Sequence, residues 1–208
     1  MKKIFVSMLV IILALSAFAQ NDKKAQTILD EVSARTKSYK TIRIEFEYTM
    51  VNKAQNINDS FKGVLISKGD RYKLTFSGQD IISDGKTSWT YLKDANEVQI
   101  NTANSSEDSF TPTNLLNTYT ENYKARLTSE TAREQIIELT PLQKKTFNKV
   151  MITIDKTRKM VQKISIYDKN GSIYTYAVNK FETDLPFSDN LFTFNASQYP
   201  GVEEIDMR

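Results

Sequence analysis

The feature that most limits the fold is a run of strict alternation near the start of the chain. Ile42, Ile44, Phe46, Tyr48 and Met50 alternate with Thr41, Arg43, Glu45, Glu47 and Thr49. Successive side chains of a β-strand point to opposite faces, so this run has one greasy face and one charged face. A helix has no use for a period of two. The run predicts a strand over Thr41–Val51, in a sheet with one face buried and the other wet.

The same grammar recurs along the chain. Ser60–Ser67 and Arg71–Ser77 flank Lys68-Gly69-Asp70 as a hairpin, and Tyr72, Leu74 and Phe76 share a face. Gln79–Ile100 reads as three short strands and two tight turns. Asp84-Gly85 separates Ile81-Ile82 from Thr87–Leu92, and both turn residues tolerate positive φ. The second turn is Lys93–Asn96. Thr87, Trp89 and Tyr91 share one strand face. Trp89 is the only tryptophan, and a ring of that size within a sheet must be covered by core, partner or ligand. Further strands are expected at Glu97–Thr102, Tyr123–Ser129, Glu134–Thr140, Phe147–Asp155, Met160–Asp168 and Ser172–Phe181. Asp168-Lys169-Asn170-Gly171 reads as a plain turn, since it lacks the spacing and distal Glu of a calcium loop. Asp184–Arg208 is a tail with little regular pattern.

Two stretches have helical rather than strand periodicity. Ala25, Ile28, Leu29, Val32, Thr36 and Tyr39 form one stripe over Asp22–Tyr39, with Lys, Asp and Glu on the other side. That helix either packs on the sheet or partly covers a ligand cavity. Phe110–Tyr119 has the signals of a helix start. Thr111 is the N-cap, Pro112 stands at the first helical position, and Phe110 and Leu115 are placed as a hydrophobic staple. Leu115, Leu116 and Tyr119 form its apolar side. It is either a flap or a fixed capping helix.

The chain begins like a secretory signal. Lys2 and Lys3 precede a nearly unbroken apolar run from Ile4 to Leu15, and Ala17-Phe18-Ala19 fits a cleavage site. Residues 1–19 are therefore expected to be removed, leaving a single domain over 20–208 that is soluble and exported. Without Lys2 and Lys3 the charge is close to neutral, so no nucleic-acid partner is expected. The chain has no cysteine and no histidine. Disulfides are excluded, and the usual general base and commonest metal ligand are missing. Asp84 and Asp168 sit where turn chemistry already accounts for them. No enzyme, metal site or cofactor is expected.

These elements predict a mainly β protein of about 11 antiparallel strands. A meander of that size should curl or split rather than stay flat, and the two helices could close over its apolar side. Curling would bring Ile44, Phe46, Tyr48, Tyr72, Leu74, Trp89, Tyr91, Ile152, Ile164 and Ile166 to a common side. That side is either a filled core or the lining of a hydrophobic cavity, because both need the same alternation.

Ser83-Asp84-Gly85-Lys86-Thr87-Ser88-Trp89-Thr90-Tyr91, followed by Val98, resembles the central hairpin of the LolA-type periplasmic lipoprotein carriers. The end of the chain, Leu191-Phe192-Thr193-Phe194 and then Tyr199-Pro200-Gly201-Val202 with Asp206, is similar to the closing segment of that family. The resemblance covers essentially the whole mature chain. It implies an incomplete barrel with a helical lid over an acyl-binding cavity, and a monomeric carrier. The expected partners are acylated lipoproteins, an inner-membrane ABC complex that releases them, and an outer-membrane acceptor (a receptor or the membrane itself). By the same resemblance Lys68 and Tyr72 stand where the family has a basic residue and an aromatic linked to lid closure and cargo. Lys68 thereby joins Phe110, Leu115, Leu116 and Tyr119 as a lid residue. Related folds also serve as lipid or lipoprotein sensors, or carry other lipids, and these are the alternative readings.

Overall fold

The computed structural model describes residues 22–103 and 121–208. The expected signal segment, residues 1–19, and the expected lid residues Phe110, Leu115, Leu116 and Tyr119 lie outside the described residues. A helix, α1, covers residues 22–38. Among the described residues there are twelve strands: β1 (Ile42–Asn52), β2 (Ile57–Lys68), β3 (Arg71–Phe76), β4 (Gln79–Ser83), β5 (Thr87–Leu92), β6 (Glu97–Thr102), β7 (Tyr123–Glu130), β8 (Glu134–Pro141), β9 (Phe147–Asp155), β10 (Met160–Asp168), β11 (Ile173–Thr183) and β12 (Glu203–Asp206). The protein is mainly β, as expected. The described residues divide into two compact units, 22–36 with 121–170, and 37–103 with 171–208.

In the second unit the strand order is β12-β6-β5-β4-β3-β2-β1-β11. This order does not close on itself, which is what an incomplete barrel requires. All of its pairs are antiparallel except β12 with β6, which is parallel. The turn between β3 and β4 is Ser77-Gly78, with φ of 48° and 78°. Positive φ at both central residues matches the right-handed twist of the flanking strands. At the next turn Asp84 accepts hydrogen bonds from the backbone N–H groups of Lys86 (2.8 Å) and Thr87 (2.7 Å), and Gly85 takes a φ of +92°. Asp84 thus serves turn geometry.

The register fixes which side chains share a face. Ile44, Phe46 and Tyr48 lie opposite Leu65, Gly63 and Phe61 on β2, and Gly63 and Leu65 lie opposite Phe76 and Leu74 on β3. On the other side of β1, Phe46, Tyr48 and Met50 face Val178, Tyr176 and Tyr174 of β11. Gly63 is the gap in this apolar row. A Cβ there would come within 2.3 Å of the Phe46 ring, so the ring lies directly over the glycine backbone.

The tail is more regular than its sequence suggests. Two short 3-10 turns, Asp189–Phe192 and Ala196–Gln198, lead into β12. Phe192 has no exposed surface and Phe194 is buried. β12 was not legible because its strand state comes from backbone pairing with the edge of β6, not from an alternation of its own.

The first unit is a four-stranded antiparallel meander, β10-β9-β8-β7, with α1. Ala125 and Leu127 pair with Leu139 and Ile137, and these continue into Val150 and Ile152. Ile166 and Ile164 complete the row. Ala25, Leu29 and Val32, the centre of the predicted helical stripe, are buried, and α1 is tied to the strands by the ion pairs Lys24–Glu130 and Lys159–Glu31.

The Gly63 contact yields the first prediction. Gly63→Ala is expected to cost about 1–3 kcal/mol, as overpacking does. The loss should shrink in a Phe46→Leu background, where the ring is gone. Urea unfolding followed by Trp89 fluorescence measures both, and an equal loss in the two backgrounds would contradict the contact.

Candidate functional site

The second unit carries an aromatic band on one face of β11, β1, β2 and β3. Tyr48 is at its centre. Its ring centroid is 5.1 Å from Phe76, 5.1 Å from Tyr176, 6.3 Å from Phe61 and 6.4 Å from Tyr174. Phe46 joins through Phe76 at 6.2 Å and Tyr176 at 6.0 Å. Aromatic pairs at such spacings contribute roughly 0.5–1.5 kcal/mol each beyond their area burial. The band is not a sealed core. Phe46 is buried, Tyr48, Phe76, Tyr174 and Tyr176 are half-buried, and Phe61 keeps 41% of its surface exposed. Burial pushes the Tyr176 phenol up to about 12, with smaller contributions from Tyr48 and Tyr174. Burial also raises Tyr48, helped by Tyr174 and Asp59. Neutral phenols within an apolar surface fit an apolar ligand and offer no general base at neutral pH.

Of the residues expected to gather on one side, the structure brings together Ile44, Phe46, Tyr48, Tyr72 and Leu74. Trp89 and Tyr91 do not join them. Counting register across β3, β4 and β5, Leu74 pairs with Ile81 and Ile81 with Thr90, so Thr90 continues the aromatic face and its neighbours point the other way. The expectation of a shared face is corrected for these two residues. Trp89 and Tyr91 instead pack on the buried cluster of Ile82, Val98 and Phe194 with Tyr199 and Val202. The tail therefore covers the lone tryptophan. Tyr91 is 4.5 Å from the Tyr199 ring and 5.7 Å from that of Phe194, and its hydroxyl donates to Asn96 Oδ1 at 3.0 Å.

Ile152, Ile164 and Ile166 belong to the other unit, where they are 0%, 2% and 8% exposed in the core with α1. Lys68 pairs with Asp189 at 2.6 Å, and Arg71 reaches the same carboxylate at 3.2 Å while lying over the Phe192 ring at 5.5 Å. The two cations hold the Asp189 carboxyl below its usual range, Lys68 contributing most. The described partner of Lys68 is thus the tail.

Sequence reasoning missed Phe61, Tyr174 and Tyr176 as members of the band, and placed Phe76 on the face of Tyr72 and Leu74 without naming it as a site residue. The alternation of Tyr174 and Tyr176 was a usable signal. The position of Phe61 opposite Tyr48 depends on hairpin register and was not readable.

A concavity of about 430 Å³ in the first unit has different chemistry. Its floor is Ile28, Val32 and Ile154, and its rim is charged. Glu130 pairs there with Lys24 and Lys156, and Glu31 with Lys159. A rim of paired charges over a small apolar floor is a poor fit to long hydrocarbon. Among the described residues no cluster of potential ligands could hold a metal ion.

The family model described as outer membrane lipoprotein carrier protein LolA matches residues 18–195. The chain belongs to the LolA family. No curated protein matches it. Among solved structures, an uncharacterised conserved protein of Thermus thermophilus is 13% identical, with 88% of this chain and 99% of that one covered and a TM-score of 0.61. A putative outer membrane lipoprotein-sorting protein domain from Vibrio parahaemolyticus is 16% identical, with coverage of 83% and 97% and a TM-score of 0.48. The Pseudomonas aeruginosa MucA/MucB complex matches at 13% identity, covering 83% of this chain and 62% of that one, with a TM-score of 0.48. The family is one of periplasmic carriers and binding proteins with a lipid- or lipoprotein-binding fold. No helix among the described residues is long and apolar enough to cross a membrane.

The phenol shift sets the second prediction. An acid whose folded pKa is raised contributes stability that is fully present below its unfolded value, near 10, and lost as pH rises toward the folded value. With Tyr176 at about 12, about 2–3 kcal/mol should disappear between pH ~10 and ~12. Tyr176→Phe should flatten this limb in urea unfolding across that range. An unchanged limb would remove Tyr176 as its cause.

Proposed function

We propose that this protein is a periplasmic carrier that binds the acyl chains of lipoproteins released from the inner membrane and delivers them to the outer membrane. The observation that carries the reading is the half-exposed aromatic band around Tyr48, in a chain that belongs to the LolA family. Transfer of one methylene out of water is worth about 0.8 kcal/mol, so acyl chains cross an aqueous space only when covered. The band supplies rings that can lie along hydrocarbon, and its edge at Phe61 remains open to solvent. On this reading Ile44, Phe46, Tyr48, Tyr72 and Leu74 line the acyl site, joined by Phe61, Phe76, Tyr174 and Tyr176. Residues 1–19 are the export signal. An inner-membrane ABC release complex is the donor, and an outer-membrane receptor or the membrane itself is the acceptor. The protein acts by binding and performs no covalent chemistry.

A release assay tests this. Purified mature protein is added to spheroplasts, and the soluble fraction is examined for triacylated lipoprotein bound one to one. The expected result is such a complex, and its absence would overturn the reading. Phe61→Glu places a charge on the exposed edge of the band. It should lower release about tenfold, equivalent to about 1.4 kcal/mol, while the urea midpoint stays close to that of the parent. Undiminished release would place the acyl chains elsewhere.

A further inference from the structure

The face that bears the aromatic band continues onto β4, β5 and β6 with a different chemistry. Ile81 pairs with Thr90 and Thr90 with Gln99, while Ser83 pairs with Ser88 and Ser88 with Asn101. Next to the apolar band lies a shelf of hydroxyls and amides. Ser88, Thr90, Gln99 and Asn101 are all half-buried. This is a sheet surface neither greasy enough to be core nor charged enough to be ordinary solvent-facing surface.

The charge distribution over the same strands is one-sided. β1 to β6 and β11 contain six cations: Arg43, Lys62, Lys68, Arg71, Lys73 and Lys180. The register places each on the face opposite the aromatic band. Arg43 pairs with Ile66, Lys62 with Glu47, Lys68 with Arg71, Lys73 with Ile82, and Lys180 with Glu45. The band and shelf carry no Lys or Arg on these strands. Their carboxylates are Asp59, opposite Met50, and Glu97, which accepts a hydrogen bond from Gln99 Nε2 at 2.8 Å.

We propose that the shelf of Ser88, Thr90, Gln99 and Asn101 takes the head group of the bound amphiphile and selects one that is uncharged and of amide or hydroxyl type. This inference rests on the reading of the aromatic band as the acyl site. An amide or hydroxyl head group exchanges its water for the shelf's donors and acceptors. A phosphate laid on the same surface loses hydration, finds no cation on these strands, and meets two carboxylates. Rejection by an uncompensated charge is an efficient route to specificity. The face would thereby pass over anionic phospholipids in favour of acyl chains attached to a neutral amide.

The test compares two amphiphiles with the same short diacylglyceryl chains, both used below their micelle concentrations. One is a thioether-linked cysteine peptide, amide-capped and N-acetylated, and the other is phosphatidylglycerol. Each displaces a bound apolar fluorophore, 1-aminoanthracene, from the mature protein. The neutral lipopeptide should act at about tenfold lower concentration than phosphatidylglycerol. Thr90→Lys, with Ser88→Lys as a second variant, should tighten phosphatidylglycerol about fivefold, the scale of a partly screened ion pair. Both should weaken the lipopeptide, whose head group loses a hydroxyl partner on the shelf, and leave the urea midpoint close to that of the parent. Equal displacement by the two amphiphiles, or lysine variants that leave phosphatidylglycerol unmoved, would overturn the head-group inference and leave the carrier reading standing. Failure of both amphiphiles to displace the fluorophore would overturn the two together.

Discussion

The second unit depends on a change of side. Along β11, β1, β2 and β3 the apolar residues lie on one face, with Phe46, Tyr48 and Leu74 among them. Along β4, β5 and β6 the buried residues Ile82, Val98 and Ile100 lie on the other. A single sheet therefore has two apolar surfaces, staggered along its strand order. One is covered within the unit by its own tail. The other is left as a band of partly exposed rings. Hydrophobic burial is non-directional, so it does not by itself determine which surface is filled. The tail decides this by bringing Phe192, Phe194 and Tyr199 to the far face and none to the band.

The tail is held by several weak contacts of different kinds. Lys68 and Arg71 grip Asp189 at its start, Phe192 and Phe194 bury themselves along its course, Asn96 Nδ2 donates to the Pro200 carbonyl at 3.2 Å, and β12 pairs with β6. Exposed ion pairs contribute little alone. The apolar anchors supply most of the hold, and the ion pairs fix where the chain crosses. In the first unit the meander buries Ile137, Leu139, Val150 and Ile152 in a core that includes Leu29 and Val32 of α1, leaving these aliphatic residues almost no surface. One unit is thus packed aliphatic, while the other offers a broad aromatic face.

Most strands were legible because alternation is local. β1 could be read from residues 41–50 alone, and the α1 stripe from a 3.6-residue period. The side on which Trp89 falls was not legible. Alternation tells which residues of one strand share a face, but the sense of that face passes from strand to strand through hairpin register. One residue more or less in a turn reverses it. The Ser77-Gly78 and Asp84-Gly85 turns together set the pairing that carries Thr90, and not Trp89, onto the face that bears the band. The partner of Lys68 was illegible for a related reason. Local chemistry identifies a turn lysine, while Asp189 comes from the far end of the chain. The band itself was half legible: Phe46, Tyr48, Tyr72 and Leu74 were readable from their own strands, whereas Phe61 needed the pairing of β2 with β1.

The pairing of β1 with β11 has a consequence for how the protein comes into being. These strands come from opposite ends of the chain and pair along almost their whole length, with Ile44 set against Phe181 and Tyr48 against Tyr176. A chain threaded through an export channel from its N-terminus delivers β1 long before β11 exists on the far side. Non-local pairings of this kind are formed late, because loop closure must precede their reward. Until β11 arrives, the greasy edge of β1 stands as an unpaired strand, the state most prone to join another chain. On the proposed function, a protein that shields the hydrocarbon of others begins its life in need of shielding itself.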